Sequence, residues 1–598
     1  MTETMTDRHY PIQSLLWPEL GVSTEQHIYF RLSGPAGFSS SRRQIELTKG
    51  GHIAFDTAAN LFNLRKWNKH CGLDDLSLRI DGAGRFEITV FQTSPVLSWE
   101  RIHEDIAVIP DSGSLRIDLT PMLQRTDLSV LFFTLTALDD AIVTGAAWET
   151  AAEPRRTPAL SLAITTFKRE EAVAASVARF EAFVQTSPIA EHLHLIVVDN
   201  GNSASLAASD HVTPIVNKNL GGSGGFARGL FEAQRRGSTH CLFMDDDALI
   251  HMPALERTWW FLSYTKNLDV AVSGGLTRAD ARWQVWESGA VFDRHCFPQW
   301  HNFDLRHFPS VLAMEHEGSK PKPANFYGGW WYFAFAIERV RNWPFPFFVR
   351  GDDISFSIAN KLDITTLPGV MCFQDADFAD KESLTTLYLD MRSHMVHHIV
   401  LPYLDRGRFE VFRVMAWFFM RSMIQCHYET LEALNLAAED VLKGPQFFAE
   451  NADMAARRAS LNALRKTESW APVEAMKPQE RRRFDPHRSR FRHWLLKYSL
   501  NGHLLPFFRL FGNRIVLNAG QRGQLHPVWG ASSITYISSD GEQSFTVQHS
   551  KLRAYRQGIR MLRNMVTLLT QYDQLRSSWL SGYRELTTKS FWAAKFDE

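Results

Sequence analysis

Three consecutive carboxylates, Asp245, Asp246 and Asp247, follow the apolar run HCLFM at 240–244. Such a run reads as a buried strand, and in open α/β sheets ligands bind beyond the carboxyl ends of the strands. Three crowded acids repel one another unless a cation neutralises them. Hard divalent ions such as Mg²⁺ or Mn²⁺ take carboxylate oxygens and also bind phosphate oxygens. Asp-x-Asp in this position therefore suggests a metal–diphosphate site. Its bland alternative is a helix N-cap with acids near the dipole. A second pair, Asp352 and Asp353 in RGDDI (350–354), can include a general base, because a like charge nearby raises a pKa. A solvated turn or helix cap is the alternative there.

Three further motifs accompany the acids. NKNLGGSGGFARG (217–229) holds four glycines in five positions, which allows close backbone approach to a ligand at a helix start. It is neither a P-loop nor a clean dinucleotide fingerprint, and a flexible turn is the competing reading. TTFKR (165–169) and Asp199-Asn200 each end an apolar run. They can hold a nucleobase and ribose, Phe167 by stacking and Asp199 by hydrogen bonds, or they are ordinary strand-end turns. Trp330 and Trp331 in GGWWY (328–332) can form a sugar or acceptor platform, or buried core.

These motifs need a scaffold, and the pattern of apolar residues supplies one. Residues 1–155 hold short alternating segments separated by Gly and Ser, which predicts an antiparallel β-sandwich. The segment at 55–67 stands out as either a packed loop or a carbohydrate contact. After the linker AAEPRRT (151–157), apolar runs alternate with helical spacing over 156–400. This predicts a doubly wound α/β domain. It includes a helix at about 224–236. Residues 401–598 turn mainly helical, with helices expected at 409–428, 430–441, 447–465 and 552–572 and short strands within 515–547.

Composition narrows the classes. The chain has 598 residues, 45% hydrophobic and 22% charged, with 65 basic and 65 acidic side chains. That is ordinary for a globular protein and lacks the basic excess of a nucleic-acid binder, so no nucleic acid is expected. Five scattered cysteines exclude a disulfide framework and a CxxC metal site, which suits a reducing cytosol. The first 17 residues carry Glu3, Asp7 and Arg8 and no apolar core, so no signal peptide is expected. No apolar stretch is long enough to predict a transmembrane helix.

Taken in order, TTFKR, VVDN, NKNLGGSGGFARG, MDDDA, GGWWYF and RGDD resemble the motifs of family 2 nucleotide-sugar glycosyltransferases with the GT-A fold. More closely, the chain is similar to bacterial galactofuranosyltransferases that build galactan on a polyprenyl-linked acceptor. Those enzymes also combine an N-terminal β-sandwich, a central GT-A domain and a C-terminal helical region. The resemblance implies an inverting transfer from a UDP-sugar, UDP-galactofuranose, with Mn²⁺ or Mg²⁺ as cofactor. It implies that Asp245 and Asp247 hold the metal and that Asp246 sits near the donor ribose or sugar. Phe167, Arg169, Asp199 and Asn219 would line the nucleotide pocket. Trp330 and Trp331 would shape the acceptor site, Asp353 would be the base, and Asp352 would orient sugar hydroxyls. The family adds a metal-binding His after the strand that follows the Asp pair. Here Gln374 or Asp375 stands in that place, with Asp377 close by. His394, His397 and His398 lie farther along an expected helix.

The implied partners are a UDP-sugar and a glycan or polyprenyl-linked glycan, with a homo-oligomer left open. An Arg cluster from Arg481 to Arg492 precedes the apolar run at 504–511. It reads either as contact with an anionic membrane surface or as a solvated charge run before a core helix. The expected location is the cytoplasm, with peripheral attachment to the inner face of the membrane under the first reading. Two other classes fit less of the pattern. One is a nucleotidyltransferase, for which Lys218 alone is a thin triphosphate loop. The other is a non-catalytic carbohydrate-binding protein with a degenerate transferase domain.

Overall fold

The computed structural model describes residues 8–95, 98–124, 129–278, 280–374, 382–473 and 480–597. Its centre is a seven-stranded sheet. Across the sheet the strands run Val212–Val216, Leu193–Asp199, Leu160–Thr166, His240–Asp245, Phe333–Ala336, Val270–Ser273 and Asp363–Thr365. The first four are parallel, and Phe333–Ala336 runs against both its neighbours. Every residue of Leu193–Asp199 is buried, as befits a strand covered on both faces. The order reverses direction between Leu160–Thr166 and His240–Asp245. That switch point opens a crevice at the carboxyl ends of the strands.

A four-stranded sheet flanks the crevice, in the order Leu249–Ile250, Met371–Phe373, Gly275–Thr277 and Val285–Glu287. It places Gln374 just beyond one strand and Glu287 at the end of another. The helix Gly221–Arg235 packs over the central sheet and starts three residues earlier than the spacing predicts. Gly221 adopts φ +70°, and a Cβ there would lie 2.1 Å from the Phe348 carbonyl oxygen. A Cβ on Gly225 would lie 1.8 Å from Thr165 Oγ1. The glycines thus form a close helix–strand contact, not a flexible turn.

The N-terminal part is a nine-stranded antiparallel sheet. Its long strand Ser77–Thr93 pairs with Ala141–Thr150 through residues 77–83 and with Val130–Ala137 through residues 86–93. One apolar core runs without interruption from Tyr10 in this sheet to Phe373 in the flanking sheet. The segment at 55–67 is packed within it: Phe55, Leu61, Phe62 and Trp67 are all buried. Lys66, from the same segment, is buried against Glu315 with Nζ 2.7 Å from Oε2.

The C-terminal part is mainly helical, with boundaries that differ from the spacing. The first expected helix is Arg408–Ile424, and Cys426 at φ +61° separates it from Tyr428–Leu442. The helix expected at 447–465 is two, Pro445–Glu450 and Ala455–Leu464, with Met454 at φ +51° before the second. The helix expected at 552–572 extends over Lys551–Leu586. The last helix, Lys589–Asp597, returns to the central sheet, where Trp592 is fully buried and donates from Nε1 to the Pro344 carbonyl at 2.8 Å. The run at 504–511 is not a core helix: Leu504, Phe507 and Leu510 are each about 70% exposed (68%, 73% and 68%). Among the described residues, no helix is long and apolar enough to cross a membrane.

Removing one partner of a buried ion pair leaves an uncompensated charge. Lys66→Met is therefore expected to destabilise the protein by about 3 kcal/mol in denaturant unfolding. Adding Glu315→Leu should recover most of that loss. An unchanged unfolding midpoint in the single variant would show that the pair does not anchor this junction.

Candidate active site

The crevice contains a cavity of about 400 Å³ with Asp245, Asp246 and Asp247 on its wall. Asp245 is the last residue of its strand, and its neighbour Thr165 is the register partner on Leu160–Thr166. The three side chains have different surroundings. Asp246 is buried and accepts from Thr166 Oγ1 at 2.8 Å and from Arg169 Nη1 at 3.1 Å. Burial pushes its pKa up against both bonds. Asp247 faces the same guanidinium at 2.6 Å. Asp245 and Asp247 remain partly exposed to the cavity.

Phe167, Arg169 and Asn219 also line this cavity. Phe167 is 43% exposed, so its ring is free to stack on a planar group. Asn219 Oδ1 accepts from the Gly221 amide at 3.1 Å. Asp199 does something else. Its carboxylate accepts backbone N–H bonds from Gly201, Ser203 and Ala204 at 2.7–2.8 Å, which holds the loop after its strand. The neighbouring Asn200 lines the cavity instead. It donates to Thr165 Oγ1 and to the Gly221 carbonyl, and accepts from Asn217, thereby joining two strand ends to the glycine helix.

Gln374 brings its side chain to the same cavity. It is buried, and its Oε1 has no hydrogen-bond partner. An orphaned amide oxygen beside two accessible carboxylates is a donor set that suits a hard cation. Among the described residues, no group of three His, Cys, Asp or Glu gathers closely enough to hold a metal alone. A cation here would thus depend on Asp245, Asp247, the Gln374 oxygen and oxygens of the ligand it accompanies. Asp375 and Asp377 lie outside the described residues. None of the three helical histidines faces this cavity. His397 bonds the Gly351 carbonyl, His398 bonds the Leu404 carbonyl, and His394 lies against Phe292 and Phe418.

A second cavity, also about 400 Å³, adjoins the first and shares Gly222, Phe226, Asp245 and Val349 with it. It contains Asp352, Asp353, Trp330 and Trp331. The two aspartates open the helix Asp352–Asn360, behind Phe348, Arg350 and Gly351, all at positive φ. Asp352 is buried and accepts from Ser223 Oγ at 2.8 Å. Asp353 is partly exposed to the cavity and accepts from the Ile354 amide at 2.8 Å. Helix-dipole stabilisation of an acid, about 0.3–2 kcal/mol, lowers a carboxyl pKa. Burial and mutual repulsion outweigh it and push Asp353 up to about 7, with Asp352 also raised. Trp330 and Trp331 are largely buried, so each offers the cavity an edge. Trp330 packs edge-on against Phe226, Phe243 and Phe356, and Trp331 donates to the Gly274 carbonyl.

Two cavity residues carried no signal in the sequence. Phe348 lies beyond the sheet, and Arg458 comes from the helix Ala455–Leu464 in the C-terminal part. The Arg458 guanidinium sits 5.0 Å over the Phe348 ring, and its buried Nε has no partner. An arginine in a helical region is unremarkable until the fold brings it to the acids.

Residues 31–151 match the family described as galactofuranosyltransferase 2 N-terminal. Galactofuranosyltransferase GlfT2 of Mycolicibacterium smegmatis is 24% identical over 443 residues, 68% of this chain and 66% of the relative. GlfT2 of Mycobacterium tuberculosis is 21% identical over 442 residues, 68% of this chain and 67% of the relative. The chain is galactofuranosyltransferase-like. The alignment spans about two thirds of those relatives, and in this galactofuranosyltransferase-like chain it reaches well beyond the N-terminal match. Among solved structures, glucosyl-3-phosphoglycerate synthase from Mycobacterium tuberculosis overlays with TM-score 0.26 at 14% identity, covering 40% of this chain and 79% of that one.

A charge-assisted hydrogen bond contributes about 1.5–3 kcal/mol. Arg458→Ala is therefore expected to weaken binding of a nucleoside diphosphate at least about tenfold in calorimetric titration. Unchanged affinity would remove Arg458 from the site.

Proposed function

We propose that the chain is an inverting, divalent-cation-dependent glycosyltransferase of the GT-A type, moving galactofuranose from UDP-galactofuranose onto a glycan or lipid-linked glycan. The observation that carries this reading is the meeting of the two cavities at Asp245. One side holds an acidic, phosphate-seeking pocket and the other an aromatic pocket with a base. The likeness to enzymes named galactofuranosyltransferase supports the choice of sugar.

Each residue then has a task. Phe167 stacks on the uracil, Asn219 and Asn200 shape the ribose wall, and Arg169 and Arg458 face the diphosphate. Asp245, Asp247 and Gln374 would hold a divalent cation, which would supply Lewis-acid stabilisation of the departing diphosphate. Asp353 takes the proton of the acceptor hydroxyl as that oxygen attacks the anomeric carbon. The bond from that carbon to the diphosphate oxygen breaks, and UDP leaves with the electron pair. A single displacement inverts the centre. Asp352, held by Ser223, orients sugar hydroxyls and keeps the Asp353 pKa high.

The exposed apolar side chains at 504–511 stand beside Trp494 and Tyr498, also more than half exposed. With the arginines at 481–492 they support peripheral contact with an anionic membrane that presents a lipid-linked acceptor.

Turnover of a panel of UDP-sugars, with and without Mn²⁺, tests the reading. UDP release is expected from UDP-galactofuranose only with the cation, and Asp247→Ala should abolish it. Asp353→Asn should lose transfer by about a thousandfold or more while retaining donor binding. With a base whose pKa is raised to about 7, kcat/KM should rise with pH through about 7 and fall below it as Asp353 is protonated. Binding of the donor without transfer to any acceptor would favour a carbohydrate-binding protein with a degenerate site. No binding would overturn the proposal.

A further inference from the structure

Asp247 and Gln374 reach the first cavity from two short strands. Leu249–Ile250 begins just after Asp247, and Met371–Phe373 ends immediately before Gln374. The two strands pair antiparallel at Leu249–Phe373 and Ile250–Cys372. So short a ladder holds little by itself. Side chains from elsewhere pin its end. Arg179, on the helix Glu170–Val184, donates to the Ile250 carbonyl at 2.5 Å and to Glu19 Oε1 at 2.9 Å.

The next residue, His251, is buried between two groups of the N-terminal part. Its Nε2 lies 2.6 Å from the Tyr29 hydroxyl, and its Nδ1 lies 3.1 Å from Glu19 Oε2. An ionised carboxylate only accepts, so Nδ1–H donates to Glu19 and Nε2 accepts the Tyr29 O–H. The ring also meets Phe373 edge-on, with 5.8 Å between ring centroids, so His251 touches the far strand as well. Both partners are themselves fixed. Glu19 and Ser23 exchange backbone bonds at 3.0 and 3.1 Å. The Tyr29 carbonyl accepts from Thr57 Oγ1 at 2.7 Å and from Asn60 Nδ2 at 2.8 Å. Thr57 and Asn60 belong to the buried segment at 55–67, which thereby gains a task beyond filling the core.

We propose that His251 is a positioning residue of the cation site. Clamped by Tyr29 and Glu19, it fixes the spacing between Asp247 and the Gln374 oxygen. The N-terminal part thereby sets how tightly a divalent cation is held. This rests on the cation-dependent reading above. Mg²⁺ demands oxygen ligands at about 2.0–2.1 Å, so a ladder free to drift by about 0.5 Å holds it poorly. His251 does not itself line the cavity, and both its nitrogens are engaged, so it acts through the ladder and not on the ligand.

The test counts Mn²⁺ bound to the full chain by electron paramagnetic resonance, with UDP present. His251→Phe keeps a ring against Phe373 and loses both hydrogen bonds. It is expected to weaken Mn²⁺ binding about tenfold. Tyr29→Phe deletes one hydroxyl across the junction and should weaken it about threefold. Both should still saturate at the wild-type stoichiometry, because the site is loosened and not lost. Should His251→Phe fail to fold, Tyr29→Phe alone decides. Ile88→Ala, in the core of the N-terminal sheet, should lower the unfolding midpoint and leave Mn²⁺ affinity unchanged. Unchanged Mn²⁺ affinity in the His251 and Tyr29 variants would overturn the proposal. So would reduced stoichiometry at unchanged affinity, or an equal loss of affinity in Ile88→Ala. Wild-type protein that binds no Mn²⁺ even with UDP would refute the cation reading itself, and the role of His251 with it.

Discussion

Repulsion among carboxyls gathered at one crevice is the constraint to which the rest of this structure answers. Asp245, Asp246, Asp247, Glu287, Asp352 and Asp353 line two joined cavities. Left ionised and unpartnered in a buried place, such a group would cost several kcal/mol. The chain resolves the problem differently at each end. Around the Asp triplet it offers positive charge through Arg169 and leaves Asp245 and Asp247 partly open to the cavity. Around the Asp pair it offers Ser223 and a backbone amide, then relies on raised pKa values. The crevice is therefore charged at one end and proton-retaining at the other.

Holding the acids in place demands backbone approaches that side chains would prevent. Gly225 lets the helix Gly221–Arg235 rest on Thr165, and Gly351 at φ +94° turns the chain into the Asp pair. A Cβ on Gly351 would press on Ser393, whose helix also holds the Gly351 carbonyl through His397. The helix Leu384–Val400 thus holds the turn before the Asp pair, and the C-terminal part contributes Arg458. Its final helix buries Trp592 beneath the glycine helix, and Phe596 stacks edge-on with Phe231. Removing the last helix would expose the glycine helix.

Much of the site was legible because its signals are local. The Asp triplet ends a continuous apolar run, the Asp pair follows an aromatic one, and the strands that carry TTFKR and VVDN have the unbroken apolar character of a parallel sheet. Asp199 illustrates the limit. Its type and position matched a ribose contact, but its oxygens are taken by three amides of its own loop, leaving Asn200 as the lining residue. The helix boundaries show another limit. Apolar spacing does not reveal Met454 in a left-handed conformation, and it runs on through Leu575, Trp579 and Tyr583, which only their packing defines as one helix with Lys551.

The sequence by itself determined the chemistry available: which carboxylates, which glycines and which aromatic pair lie at the ends of which apolar runs. Covalent order and side-chain periodicity are enough for that, since strand ends and helix starts are set within a few residues. Only the tertiary structure decided which groups face one another. Glu287 meets Asp353 across 66 positions of chain, Arg458 reaches Phe348 across 110, and Gln374 arrives beside Asp245 with an oxygen that nothing else satisfies. Those encounters depend on sheet order and on burial, and burial is also what shifts each proton affinity. Neither quantity has a local trace in the order of residues.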